Sequence, residues 1–355
     1  MSAVAAVASP PDAAARAAAR AAMDGLAKPP GSLGRLEDLA VWWAGVRGDA
    51  QAAPPRRPVL AVFAADHGVT ARGVSAYPSA VTAAMVTTML GGGAAASVLA
   101  REHGVRIRLV DVAVDTQWPT GLLPAEVTDA KAGRGSAPLD TEDALSPEVF
   151  AAAFAAGRDV ADDEIDAGAD LLLTGDLGIG NTTPSATVIA ALTGADATAV
   201  AGRGTGIDDA GLERKRRVIA AALARIGAGN DPLEVLRRVG GADLAALAGL
   251  CLQAAARRTP VLLDGVIAGA AALAAARCEV GTTAWLVAGH RSAEPAHGLA
   301  LDALGLQPIL ALDMRLGEGT GALLALPILR SAVTLLREMA TLADVLAGVP
   351  ADATP

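Results

Sequence analysis

The 355-residue chain has few aromatic side chains: three Phe, four Trp and one Tyr, or 2% in all. Hydrophobic residues still make up 52%, so the core must be built from Ala, Val, Leu and Ile. Cysteine is nearly absent, with only Cys251 and Cys278 and no CxxC pair. That excludes a disulfide framework and a structural zinc site, and free thiols fit a reducing cytoplasm. There are four histidines; His290 and His297 stand seven apart with Glu294 between them, a spacing that matches no zinc-binding helix. No GxSxG elbow surrounds Ser292, which argues against serine hydrolysis. An excess of positive charge is also missing. The 29 Lys and Arg face 38 Asp and Glu, a net charge of -9, so nucleic acid is not an expected partner. No membrane span is expected: the apolar run 261–276 holds Asp264, and the run 320–336 holds Pro327 and Arg330. The first twenty residues lack a basic stretch ahead of an apolar one, so no signal peptide is expected.

Alanine and glycine are plentiful, with 39 Gly, and charged residues are only 19%, which excludes general disorder. Residues 1–11 show no pattern, and 12–22 read as a helix. The stretch Lys28 to Glu37 carries two Pro and two Gly, and Ser32 is placed to cap a helix running to Gly45. The polar, Pro-rich segment 48–58 reads as a boundary. A rhythm follows, in which short apolar runs end in Gly, Asp or His loops and Ala-rich helical segments come after. The run 58–65 ends at Asp66-His67-Gly68, and 105–114 is rich in β-branched residues. The run 169–173 ends at Thr174–Asn181, 260–263 at Asp264-Gly265, 283–287 at Gly289–Ser292, and 308–312 at Asp313–Gly321. This alternation predicts an α/β fold, a mostly parallel sheet with helices on both faces. Near-continuous apolar runs are what strands covered on both sides show. Ligands of such sheets sit beyond the carboxyl ends of the strands, so these loops are expected to line one cleft.

Three loops carry candidate chemistry. Gly175 to Pro184 brings small residues ahead of a helix starting near Thr183-Pro184, where free N–H groups favour a phosphate, and Asp176 stands inside it. A plain strand–helix turn would use the same glycines. Gly202-Arg203-Gly204-Thr205-Gly206 is a second loop of this kind, with Arg203 and Lys215 as nearby positive charges, or simply as solvated ones. It fails the spacing of a dinucleotide fingerprint. In Arg315-Leu316-Gly317-Glu318-Gly319-Thr320-Gly321, glycines flank one Glu and let other groups approach it. Such a carboxylate can serve as a base, although a helix-capping Glu would look alike. His67 is expected to shape the cleft.

Read together, Lys28-Pro-Pro-Gly-Ser-Leu-Gly-Arg-Leu-Glu37, Ala65-Asp-His-Gly-Val69, Gly73-Val-Ser-Ala-Tyr-Pro78, Gly178-Ile-Gly-Asn-Thr-Thr-Pro184, Leu263-Asp-Gly265 and Met314-Arg-Leu-Gly-Glu-Gly-Thr-Gly-Ala322 resemble the nicotinate-nucleotide–dimethylbenzimidazole phosphoribosyltransferase family. The resemblance runs from about Met23 to about residue 345. It implies a Rossmann-like domain over 56–326 and a small helical domain made of 1–55 and 327–355. It implies transfer of phosphoribose from nicotinate mononucleotide to a benzimidazole in cobalamin lower-ligand synthesis, with no cofactor and no metal, by a homodimer. Its general base corresponds to Glu318, with Asp176 as a second carboxylate where well-studied members have Glu. The substrate-binding residues it implies begin with Tyr77 and Met85, at positions where some members place Ser and Gln. They continue with Gly175, Gly178, Asn181 and Thr182, then Gly202, Gly204 and Lys215, and end with Asp264, Gly265, Ser292, Leu316 and Gly317. A nicotinamide-dependent oxidoreductase and a non-catalytic nucleotide- or azole-binding homologue are the rival readings. The first lacks a clean GxGxxG after the first strand, and the retained Glu318 speaks against the second.

Overall fold

A computed structural model describes residues 8–229 and 231–347. The chain divides into two units, one of 57–324 together with the N-terminal residues through Ser9, the other of 10–56 with the segment from 325 onward.

The larger unit holds six strands: β1 (Pro58–Ala65), β2 (Arg106–Ala113), β3 (Leu171–Leu177), β4 (Val261–Leu263), β5 (Leu286–His290) and β6 (Pro308–Leu310). They form one sheet in the order β2-β1-β3-β4-β5-β6, and every pairing is parallel. Every residue of β1 and β3 is buried, the state that unbroken apolar sequence anticipates. Helices Pro147–Asp166 and Ala242–Ala256 meet with backbones in close approach. A Cβ at Gly157 would overlap Ala246, and one at Gly249 would overlap the carbonyl of Phe154. From β1 the chain passes first to β2 on one side and later to β3 on the other. That reversal opens a crevice at the carboxyl ends of β1 and β3, where doubly wound sheets bind ligands.

Several expected boundaries move. β3 runs on to Leu177 because Gly175 and Asp176 stay in register with Val62 and Phe63 of β1, so Asp176 is a strand residue rather than a loop residue. Residues Val280–Trp285 form a 3-10 helix, and β5 starts only at Leu286. Ser32 caps nothing: the helix begins at Arg35, with Gly34 at its N-cap in the left-handed region. The stretches Val81–His103 and Thr320–Glu338 do reach the length and hydropathy of a membrane span. The first is broken into two helices by Gly91–Gly93, and the second buries Leu323, Leu326 and Leu329 in the fold.

The smaller unit contains helices Ala13–Asp24, whose N-cap is Asp12, and Arg35–Arg47. Within it Lys28 Nζ lies 2.8 Å from Glu37 Oε1, the Ala27 N–H donates to the Ala340 carbonyl at 2.9 Å, and Arg330 Nε donates to the Pro55 carbonyl at 3.0 Å. Its limits differ slightly from the expected 55 and 327. The divisions fall after Arg56 and after Leu324, the latter inside helix Thr320–Glu338, which continues through Pro327. Residues 8 and 9 go with the sheet unit, where Trp285 Nε1 donates to the Ser9 carbonyl at 2.9 Å. Residues 1–7 and 348–355, assigned to the helical domain from sequence, lie outside the described residues.

Candidate active site

The loop after β6 is wound tightly. Gly317, Glu318 and Gly319 all take positive φ, at 84°, 62° and 89°. For Glu318 this is a sparsely populated conformation, and such strain persists only where the surroundings impose it. Here they do, through Asp264. Its buried carboxylate accepts from the N–H groups of Gly319 at 3.0 Å, Gly321 at 2.7 Å and Ala322 at 3.2 Å. It thereby caps the helix beginning at Thr320, as a carboxylate at a helix N-terminus favours. The N–H of Asp264 donates in turn to Thr174 Oγ1 of β3 at 2.9 Å, which fixes the cap to the sheet.

The Glu318 side chain is 6% exposed. Its Oε2 accepts from the Ala96 N–H at a long 3.3 Å. Burial pushes its pKa above the ordinary carboxylate range. The Ala96 N–H opposes that shift and the Asp264 charge adds to it. Asp176 lies beside it on β3. Its Oδ2 accepts from Asn181 Nδ2 at 2.8 Å, and its buried Oδ1 has no hydrogen-bond partner among the described residues. Burial raises the Asp176 pKa well above the usual range, with Asp264, Asp243 and Glu318 adding to the shift. Burial thus favours the protonated form more strongly at Asp176 than at Glu318, which makes Glu318 the stronger candidate for a proton acceptor.

Buried Lys215 marks another part of the site. Its Nζ donates to Thr182 Oγ1 at 2.8 Å and to the Gly202 carbonyl at 3.0 Å, and stands 3.9 Å from Glu294 Oε2. Burial pulls its pKa down to about 8, against the pull of Glu294. Glu294 Oε1 accepts from the Gly204 N–H at 2.7 Å, and Arg315 Nε donates to the Gly204 carbonyl at 3.0 Å. The loop 202–206 is thus held from both sides, beside the first turn of helix Thr182–Thr193.

Of these groups Glu318, Asp176, Asn181, Thr182, Gly204 and Arg315 border a cavity of about 550 Å³ at the carboxyl edge of the sheet. Among the expected residues, Tyr77 and Met85 line it, with Asp176, Gly178, Asn181 and Thr182 from the β3 side. Gly204, Gly265, Ser292, Leu316, Gly317 and Glu318 also line it. Four expected residues do not. Gly175 is buried inside β3, packed against the Glu318 carbonyl. Gly202 offers its carbonyl to Lys215, Lys215 lies behind Thr182, and the Asp264 carboxylate is occupied by its three N–H donors. Arg203 is not at the cavity either; it pairs with exposed Asp209. His67 lies beneath the wall, its Nε2 3.2 Å from Asp243 Oδ2. Burial alone would lower its pKa, but the Asp243 carboxylate turns the shift upward. Sequence reasoning missed Thr82, whose hydroxyl accepts from the Ile179 N–H at 3.1 Å, and Val266, Arg315 and His290 on the cavity wall. It also missed Glu294. The seven-residue spacing of His290 and His297 fits no metal-binding pattern; in the structure His290 and Ser292 of that stretch line the cavity, and Glu294 holds Gly204. Among the described residues no group of three or more His, Cys, Asp or Glu is arranged to hold a metal.

A larger concavity of about 770 Å³ lies along 116–134. It offers less chemistry, since Lys131 Nζ is already engaged by Asp111 at 2.7 Å and by the carbonyls of Val114 and Thr116.

Comparison with known proteins agrees with this geometry. Residues 8–349 match the family described as Phosphoribosyltransferase. The chain is 55% identical to the nicotinate-nucleotide–dimethylbenzimidazole phosphoribosyltransferase of Mycobacterium marinum, over 95% of its length and 93% of the relative's. It is 55% identical to the enzyme of that name from Mycobacterium tuberculosis, over 95% of its length and 92% of the relative's. Two crystal structures of the Thermus thermophilus protein, one titled as this phosphoribosyltransferase and one as CobT, superpose with TM-scores of 0.87 and 0.88. Their identities are 43% and 45%, covering 96% and 95% of this chain and 100% and 99% of theirs. The chain belongs to the nicotinate-nucleotide–dimethylbenzimidazole phosphoribosyltransferase family.

Proposed function

We propose that the protein moves the 5-phosphoribosyl group of nicotinate mononucleotide onto 5,6-dimethylbenzimidazole or a related azole, giving α-ribazole 5′-phosphate and nicotinate. The observation that carries this reading is Glu318, a buried carboxylate with a raised pKa, on a cavity wall shared with Tyr77 and Met85. One azole nitrogen attacks C1′ of the donor. The bond from C1′ to the pyridinium nitrogen breaks, and its electron pair stays with departing nicotinate. The second azole nitrogen then gives its proton to the Glu318 carboxylate, leaving a neutral riboside. Attack opposite the leaving group turns a β-linked donor into an α-linked product.

The rest of the site supplies placement. Phosphate is an anion, and the region of Gly204, Thr182 and Lys215 combines a helix N-terminus with a buried ammonium. Asp264 holds Glu318 in place without meeting substrate. The family resemblance supports a homodimer as the working form, and the two free cysteines a reducing cytoplasm. Incubating the purified protein with nicotinate mononucleotide tests the reading: nicotinate is released only when an azole is supplied. Release at an equal rate without azole marks a hydrolase instead, and no release with any azole marks a binding homologue.

A further inference from the structure

His290 is the last residue of β5 and is 2% exposed. It lines the cavity, yet neither ring nitrogen makes a hydrogen bond among the described residues. The nearest carboxylate oxygen, Asp264 Oδ1, is 3.5 Å from Nε2 and already accepts from the Gly321 and Ala322 N–H groups. A buried polar group without a partner is costly, and in a native fold it calls for a reason. His297 beside it has one: its Nδ1 accepts from the Ser292 N–H at 2.9 Å.

The position of the ring points to that reason. One side rests against Gly321, where any Cβ would overlap the imidazole, in the same turn that carries Glu318. The Nε2 and Cε1 edge of the ring comes near Gly265, which lines the same cavity as Ser292. A Cβ at Gly265 would lie 3.4 Å from His290 Nε2 and 3.8 Å from Ser292 Cβ. The imidazole therefore packs against the turn that carries Glu318, the proposed base for the azole, and shares its cavity with Gly265, Ser292 and Gly204. In the reaction proposed above, the part of the donor between the reacting base and the phosphate is the ribose, whose hydroxyls both donate and accept. A neutral imidazole has one donor and one acceptor nitrogen, which suits such a partner.

We infer that His290 is a binding residue for the ribose of the donor, hydrogen-bonding one of its ring hydroxyls. The inference rests on the phosphoribosyl-transfer reading. It makes the orphaned imidazole a group that is satisfied only when the donor is bound.

The test is a cycle of protein variants against donor analogues. Binding of nicotinate mononucleotide and of its 2′-deoxy and 3′-deoxy forms is measured by calorimetry for the wild type, His290→Phe and His290→Gln, with nicotinate release followed in parallel. Loss of one such hydrogen bond is expected to weaken wild-type binding of one deoxy form about tenfold. His290→Phe should bind the intact donor about tenfold more weakly and show no further loss on deletion of that hydroxyl, and His290→Gln should recover part of the affinity. The thermal midpoint of ligand-free His290→Phe should not fall, because the ring nitrogens have no protein partner to lose. Additive losses, unchanged affinity in His290→Phe, or a fallen midpoint in both variants without hydroxyl coupling would overturn the inference. Coupling to a hydroxyl without azole-dependent nicotinate release would contradict the transferase reading and leave His290 as a ribose contact. Failure of the donor to bind at all would contradict both.

Discussion

The main-chain N–H of Glu318 donates to the main-chain carbonyl of Asp176 at 3.2 Å. One hydrogen bond thus ties the strained turn after β6 to the end of β3 and sets two buried carboxylates side by side. With Asp264 nearby, three acidic groups share a space without a compensating cation in contact among the described residues. Burial and the neighbouring negative charges raise the pKa of both Asp176 and Glu318.

The upward shift is the larger at Asp176, and a pH dependence of stability follows. The native state binds its proton more tightly than the unfolded chain, whose carboxyl titrates near its ordinary value. Stability therefore falls as pH rises from the ordinary carboxylate range through the raised value. Asp176→Asn removes this dependence, so its thermal midpoint should gain on the wild type as pH rises. Its turnover near neutral pH should stay within about tenfold of the wild type, because an amide keeps the shape of the protonated acid that burial favours, with one hydrogen bond at stake. A loss of about a thousandfold would show that the ionised form does the chemistry.

Asp264 acts by holding the turn. Asp264→Ala strips the cap from the Gly319, Gly321 and Ala322 N–H groups and should cost about 2 kcal/mol of stability or more. Turnover should fall as well, since Glu318 is no longer held at positive φ. Unchanged denaturation together with full activity would mean that the turn is self-supporting.

Lys215 is expected to serve the donor phosphate. Its ammonium pKa is drawn down to about 8, so the charge is lost as pH rises past that value. The kcat/KM for nicotinate mononucleotide should fall across the same interval, while the KM for azole stays level. Lys215→Met keeps the buried volume and should raise the KM for the donor at least tenfold at neutral pH, since a hydrogen-bonded charge is removed. Equal effects on both substrates would indicate a structural lysine.

The azole wall is soft. Tyr77 is 56% exposed, and Met85 offers an adaptable thioether in place of a firm donor. A hydrophobic pocket discriminates one methyl by only about 1–3 kcal/mol. Competition between benzimidazole and its methylated or methoxylated forms should show preferences within about a hundredfold. A preference beyond about a thousandfold would require buried hydrogen bonds to the ring substituents.

Much of this was readable in the residues. The parallel sheet is written in unbroken apolar runs such as 58–65, and the glycines around Glu318 marked it from local sequence alone. What could not be read is long-range. That Asp264 spends its carboxylate on three N–H groups 55 or more residues away depends on how β4 sits beside the β6 turn. That Gly175 is a strand residue depends on pairing with Val62, against an isolated-sequence preference of Gly for loops. Glu294 and His290 were passed over for the same reason. Their roles come from Gly204 and Gly321, which lie on other segments.

The central claim is that Glu318 takes the azole proton, and Glu318→Gln tests it most directly. The substitution is nearly isosteric and removes the acceptor alone. With wild-type affinity for both substrates retained, turnover of nicotinate mononucleotide and dimethylbenzimidazole should fall about 100-fold or more, the usual worth of a positioned base. Turnover above about a tenth of wild type in a folded, substrate-binding Glu318→Gln protein would contradict the account.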